Sequence, residues 1–100
     1  MVKVEELTIR ETKAQGTMLV APGGEGHPNM IVIECSKGYL MCGYLNMAAA
    51  EKFGDAAVLV GGADFEAVLA NPIKGMTGAA RTLGVTDGMT GAEAALVLNQ

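Results

Sequence analysis

The segment 38–60 constrains the fold more than any other part of the chain. A glycine precedes the apolar run 39–45, which is typical of a buried strand. Asn46 suits the N-cap of a short helix, and Gly54 suits the left-handed residue that ends it. Because the apolar run 56–60 follows at once, the segment predicts a compact strand–helix–strand unit. If its two strands are parallel, the crossover is expected to be right-handed.

The first 45 residues predict antiparallel strands. Strand candidates alternate apolar and polar residues or are rich in β-branched ones; they are residues 2–9, 17–20, 30–35 and 39–45. Residues 13–16 resemble a turn or a weak strand start. The segment 22–28 holds two prolines and three glycines, which cannot maintain a strand ladder, so a loop is predicted there.

The second half predicts short helices with recognisable caps. Asp64, Thr77 and Thr90 are good N-caps, and Glu93 completes a capping box with Thr90. Residues 73–76 are predicted to form an edge strand. The predicted fold is therefore α+β, as a single domain over residues 1–100. An N-terminal antiparallel β-meander continues into a mixed sheet, with short Ala/Gly-rich helices packed on it.

Composition predicts self-association. Half of the 100 residues are hydrophobic, only 18% are charged and the mean hydropathy is +0.31, whereas roughly 25% of residues are charged in a typical domain. Surplus apolar surface on a small chain is best buried in a subunit interface. We therefore expect a homo-oligomer, with residues 1–45 as the oligomerisation region.

Charge and hydropathy exclude several partners. The net charge is −4 and the chain has only two arginines, so the clustered cations that nucleic acids require are missing. No apolar run approaches the ~18–20 residues of a membrane span. The charged N-terminus lacks the apolar core of a signal peptide. The expected location is the cytoplasm, without nucleic-acid or membrane partners.

Cys35 and Cys42 are expected to be reduced thiols. If residues 37–38 form a two-residue hairpin turn, Cys35 lies opposite Leu40 and Cys42 opposite Ile33. The cysteines then lie diagonally on one face about 7–8 Å apart, too far for an unstrained disulfide. They lack CxxC spacing, and the single histidine lies in a loop, so neither a metal site nor a cofactor is predicted.

Cys42 is the main candidate for chemistry. It suits a nucleophile or a ligand contact, because Gly43 would let a substrate approach closely. A reactive thiolate needs a nearby base or cation; the candidates are His27, Lys37 and Arg81. The alternative is a small core residue that faces Ile31 and Ile33, with Gly43 allowing close packing.

Three further residues are candidate ligand contacts. Tyr39 lies on the strand face opposite Cys42, where interface packing is the simpler interpretation. Gly61 and Gly62 join a buried strand to a helix N-terminus, where backbone amides can bind an anion. Asp64 already supplies a negative group there, which favours a structural role.

Two runs of residues resemble the YunC-like proteins of bacteria and archaea, a family of unknown function. The first is residues 38–45 with Glu51, Gly54 and Asp55. The second is Ala80, 83–85, Gly88, Met89, Gly91 and 93–95. The resemblance covers roughly residues 28–98. It implies an N-terminal β region that mediates tetramerisation and no established activity.

Two hypotheses of different class therefore remain. The first is a non-catalytic assembly or small-ligand-binding module whose β half forms a symmetric homotetramer. The second is a small oligomeric enzyme that uses Cys42 as nucleophile or ligand contact at a subunit boundary. The surroundings of Cys42 discriminate between them, because an aliphatic environment favours the first and a cleft with a cation favours the second.

Overall fold

A computed structural model describes all residues from Met1 to Gln100 and contains one six-stranded mixed sheet. The strands lie in the order of the sequence, and all neighbours are antiparallel except β4 and β5, which are parallel. The strands are β1 Val2–Ile9, β2 Thr12–Leu19, β3 Met30–Glu34, β4 Tyr39–Met41, β5 Ala57–Leu59 and β6 Gly75–Met76. The predicted α+β class, with a β-meander that continues into a mixed sheet, is confirmed.

The second strand is longer than predicted. Residues 13–16, expected as a turn or a weak strand start, belong to β2, and Thr12 pairs with Ile9. The chain reverses at Arg10 and Glu11, where Arg10 adopts a positive φ of 56°. Non-glycine residues seldom adopt this left-handed conformation. Because no glycine occurs at Arg10 or Glu11, the sequence did not indicate the turn.

The third and fourth strands pair two residues away from the predicted register. Ile33 lies opposite Leu40, and the turn between the strands spans four residues, closed by a 2.8 Å hydrogen bond from the Cys35 N–H to the Gly38 carbonyl. Gly38 is required by β5, because a Cβ there would overlap the carbonyl oxygen of Ala56. The predicted strand 39–45 was also wrong in length, since β4 ends at Met41.

Four short helices begin where their caps were predicted. They are α1 Met47–Lys52, α2 Phe65–Ala70, α3 Gly78–Leu83 and α4 Gly91–Leu98. The side chains of Asn46, Asp64, Thr77 and Thr90 each accept a backbone N–H of the first turn, and Glu93 completes the capping box. Gly54 and Gly84, which follow α1 and α3, both have a positive φ. The residue types at the helix ends therefore predicted where these helices stop.

The helices divide between the two faces of the sheet. Leu40 packs in the main core with residues of α2, α3 and α4, whereas its neighbour Met41 packs with Ala50 of α1. Since successive side chains of a strand point to opposite faces, α1 covers one face and the other three helices cover the opposite one.

The N-terminal hairpin leaves apolar side chains in solvent. Val2 and Val4 are 59% and 63% exposed, while Ile9 at the other end of β1 is buried. Val4 shares a row across the strands with Thr17 and Val32, and β1 is an edge strand of the sheet. This exposed apolar surface is the kind that usually marks an interaction site.

Candidate functional site

The parallel pair of strands creates one distinctive sheet edge. β4 ends at Met41 and β5 at Leu59, so the loops that follow them leave the sheet side by side. The Val60 N–H donates to the Met41 carbonyl over 3.0 Å and holds the two chain exits together. In open sheets, ligands generally bind in the crevice outside the carboxyl ends of parallel strands.

A cleft of about 370 Å³ opens at this edge. It is lined by Pro28, Asn29, Cys42, Gly43, Tyr44, Gly61 and Gly62. The structure thus brings together Cys42, Gly43, Gly61 and Gly62, which the sequence singled out separately. Tyr39 does not line the cleft. The volume falls within the range of ordinary small-molecule sites, roughly 300–1,000 Å³.

Cys42 lies at the inner wall of the cleft and is only 7% exposed. Its N–H donates to the Ile31 carbonyl over 3.1 Å, and its Sγ accepts the Ile31 N–H over 3.3 Å. The thiol therefore continues the ladder between β3 and the end of β4. Cys42 thus contacts Ile31, as expected if it is a core residue, yet Cys42 also lines the cleft.

The glycines of the cleft have different roles. A Cβ on Gly43 would meet no atom within 4 Å, so the predicted close packing at this residue was wrong. A Cβ on Gly62 would lie 2.7 Å from the Val68 nitrogen, so Gly62 lets its loop approach the backbone of α2. Since the Asp64 carboxylate already caps α2 and accepts the Ala67 N–H, Gly62 is explained by packing and not by an anion site at the helix end.

Asn29 lines the cleft and joins two of the loops around it. Its Oδ1 accepts the Ala21 N–H over 2.9 Å, and its Nδ2 donates to the Ala63 carbonyl over 2.7 Å. One side chain thus joins the ends of loop 22–28 to the loop after β5. An isolated asparagine at the end of a Pro/Gly-rich loop follows no pattern that identifies it in the sequence.

Lys74 lies beside Gly61 but is not among the residues that line the cleft, and no pattern in the sequence indicated its position. Its Nζ is 3.1 Å from the position that a Cβ on Gly61 would occupy. The Lys74 N–H donates to the Leu59 carbonyl, which places the residue beside the end of β5. The three cations considered for Cys42 do not line this cleft; they are His27, Lys37 and Arg81.

Tyr39 has a structural hydrogen bond on the α1 face. Its hydroxyl donates to Asp55 Oδ2 over 2.7 Å. Partial burial, followed by the hydrogen bond and the negative charge of Asp55, raises the pKa of Tyr39 to about 12. The proton therefore stays on the phenol over the physiological range, and the bond ties β4 to the segment between α1 and β5.

The two cysteines are free and separate. Burial, assisted by the charge of Glu34, raises the pKa of the Cys35 thiol to about 11. Cys35 lines a different opening, on the N-terminal hairpin. No group of three or more His, Cys, Asp or Glu side chains is arranged to hold a metal ion. No helix is both long and apolar enough to span a bilayer.

Fold and cleft define a small α+β protein with an uncharged crevice beside a parallel strand pair. The model of the family "Domain of unknown function (DUF1805)" matches residues 41–98. The chain belongs to this family, and the resemblance to YunC-like proteins is confirmed. The matched region contains Cys42, Gly43, Gly61, Gly62 and Lys74.

The whole chain is similar to a solved structure. A crystal structure of a protein of unknown function from Thermoplasma acidophilum matches with a TM-score of 0.85 at 28% identity. The match covers 99% of this chain and 94% of that one, and so includes the N-terminal hairpin outside the family model. No curated protein matches.

Proposed function

We propose that the protein is a small-ligand-binding module whose site is the cleft beside Cys42. One observation carries the proposal: the cleft of about 370 Å³ gathers Cys42, Gly43, Gly61 and Gly62 at the carboxyl edge of the parallel strands. A concave site with few polar groups at such an edge is the usual setting for small ligands.

Binding is favoured over nucleophilic catalysis by Cys42. The cleft lining contains neither a basic side chain that could take the thiol proton nor a cation, and a cysteine nucleophile needs one of these beside its thiol. The Sγ also accepts a backbone hydrogen bond, which fixes its position as a ligand contact. The enzyme alternative is supported if Cys42 in the native protein alkylates faster near neutral pH than the same cysteine in the unfolded chain.

Chemical-shift mapping tests the proposal. A library of small neutral and anionic fragments is added to ¹⁵N-labelled protein, and the amide shifts are followed. We expect the largest changes at residues 42–44 and 61–62. Gly43→Val is the matched control, because its side chain has open space and would occupy the cleft without disturbing the core. Fragment shifts that survive this substitution, or that map elsewhere, contradict the proposal.

We also propose that the chain assembles with copies of itself, as a tetramer, through the N-terminal hairpin. The exposure of Val2 and Val4 on a long edge strand supports this, because such an edge is otherwise an aggregation hazard. Two free thiols suit the cytoplasm, which we propose as the location.

A further inference from the structure

The outer edge of β1 is an unpaired strand of eight residues. β1 pairs with β2 alone, in a ladder without a bulge, and the Val20 N–H donates to the carbonyl of the opposite Met1 over 2.9 Å. Because hydrogen-bonded pairs alternate along an antiparallel ladder, the odd-numbered residues of β1 bond inwards to β2. The N–H and carbonyl groups of Val2, Val4, Glu6 and Thr8 therefore point outwards, where another strand could bond to them.

An acidic pocket of about 370 Å³ lies beside this edge, between β1 and α2. Its lining contains three carboxylates and no cation, and its apolar side chains come from both elements. The carboxylates are Glu5, Asp64 and Glu66, and the apolar side chains are Leu7, Phe65 and Leu69. Such a pocket suits an occupant that carries a positive charge next to an apolar group.

The start of β1 has side chains of this kind. Met1 is 86% exposed, and Lys3 is exposed and belongs to neither of the two salt bridges of the chain. Both alternate with Val2 and Val4, so they lie on the same face of the sheet as Glu5 and Leu7. The strand thus carries a cation and a large apolar side chain on the face where the pocket opens.

From this complementarity we propose that β1 pairs antiparallel with β1 of a second copy, with the two Val4 residues opposite each other. Lys3 of each copy then lies opposite Glu5 of the other, and Met1 lies opposite Leu7 at the acidic pocket. The inference rests on the proposed self-assembly and names the register of its interface. Lys3 and Glu5 form a non-hydrogen-bonded pair, in which opposite side chains are closest.

Symmetry and charge disfavour the neighbouring registers. In a two-fold antiparallel pair, opposite residues share a face, so the register changes in steps that keep odd residues opposite odd ones. One step in one direction places Lys3 opposite Lys3, and one step in the other places Glu5 opposite Glu5. Like charges directly opposite each other are destabilising. Registers further along β1 place Val4 opposite Thr8 or the turn, and the apolar pair is lost.

A charge swap between two chains tests the register. Lys3→Glu and Glu5→Lys are each studied alone and then mixed in equal amounts at low salt, with sedimentation velocity as the readout. We expect each variant alone to self-associate about tenfold more weakly, because two attractive pairs become repulsive. The mixture should recover the assembly, since every pair again joins opposite charges. Lys37→Glu and Glu25→Lys are the controls, because both residues are exposed and lie in loops away from β1.

A disulfide tests the register independently of charge. Val4→Cys in a Cys35→Ser background should give a linked dimer on a non-reducing gel after mild oxidation, since opposite Cα atoms about 5.5 Å apart can be bridged. Thr8→Cys is the control, because Thr8 is exposed on the same face and edge. In this register the two Thr8 residues lie roughly 27 Å apart, so they should remain unlinked.

The outcomes distinguish this inference from the proposed assembly. An oligomer that neither charge variant weakens, or that mixing does not restore, overturns the register and leaves assembly through the hairpin in place. Equal linking of the Val4→Cys and Thr8→Cys chains overturns the register as well. If the unmodified chain sediments as a 10.3 kDa monomer at every concentration, both the register and the assembly are overturned.

Discussion

Gly91 at the start of α4 lies directly on Val68 of α2, so closely that a Cβ on the glycine would overlap the valine carbonyl oxygen. Gly91 is buried, and its N–H donates to the Asn71 carbonyl over 2.9 Å. The contact joins the end of the chain to the helix that follows the cleft loop. The absence of a side chain at Gly91 thus lets α4 and α2 lie close together.

Replacing Gly91 with alanine should destabilise the fold. Alanine is favoured over glycine in helices by about 1 kcal/mol, but overlap with a backbone that cannot move aside typically costs 1–3 kcal/mol or more. We expect the cost of the overlap to exceed the gain in helix propensity, so Gly91→Ala should unfold at a lower urea concentration than the unmodified protein. Gly43→Ala is the matched control, because the space around Gly43 is open. Equal midpoints for the two variants would exclude the close contact.

The Tyr39–Asp55 hydrogen bond should make stability depend on alkaline pH. Folding raises the tyrosine pKa from 10 to about 12, so the folded state favours the protonated phenol. This contribution is fully present below pH 10 and is lost as the pH rises from 10 to 12. Tyr39→Phe should cost about 0.5–1.5 kcal/mol at pH 8 and proportionally less at pH 11.

Urea unfolding at the two pH values measures this difference, with Tyr44→Phe as the control. Tyr44 is exposed and has no side-chain hydrogen bond within the chain. If the penalty of Tyr39→Phe is the same at pH 8 and pH 11, the hydrogen bond does not couple protonation to folding.

Cys35 should alkylate slowly at neutral pH. Its pKa of about 11, against an ordinary value of 9, leaves roughly 100-fold less thiolate than an unperturbed cysteine has at pH 8. Peptide mass spectrometry after timed alkylation measures the rate. Glu34→Gln should lower the pKa only slightly, because burial is the larger cause, whereas Glu11→Gln should have no effect. Rapid labelling of native Cys35 at pH 8 would contradict this environment.

Val4→Asp should separate the subunits without unfolding them. Val4 is exposed, so a charge there is tolerated by the monomer and disfavoured in an apolar interface. Light scattering should give a mass near 10.3 kDa with unchanged circular dichroism. An oligomer that keeps its mass places the interface elsewhere. Ile9 at the other end of the same strand is buried, and Ile9→Asp should unfold the chain.

Local features of this fold could be predicted and distant ones could not. The helix caps were predicted because a cap residue and the N–H group that it accepts lie within four consecutive residues. These caps are Asn46, Asp64, Thr77 and Thr90. The turn at Arg10 was missed, since its left-handed backbone has no glycine to indicate it.

In the candidate site, too, the individual residues could be predicted but their arrangement could not. Cys42, Gly43, Gly61 and Gly62 were noticed one by one, each from its neighbours in the sequence. Their meeting in one cleft depends on the parallel pairing of β4 and β5. The approach of Lys74 depends in turn on the pairing of β6 with β5. Such long-range pairings leave no local trace in the residue types.

The reactivity of Cys42 towards two alkylating agents tests most directly whether a small molecule enters the cleft. Iodoacetate and iodoacetamide carry the same leaving group and differ in charge, and Cys35→Ser confines labelling to one thiol. We predict that both agents label Cys42 in the native protein more slowly than in urea, and that Gly43→Val, whose side chain has open space at the cleft, slows the native reaction further. No labelling before unfolding, or labelling that Gly43→Val leaves unchanged, would contradict a ligand site at Cys42.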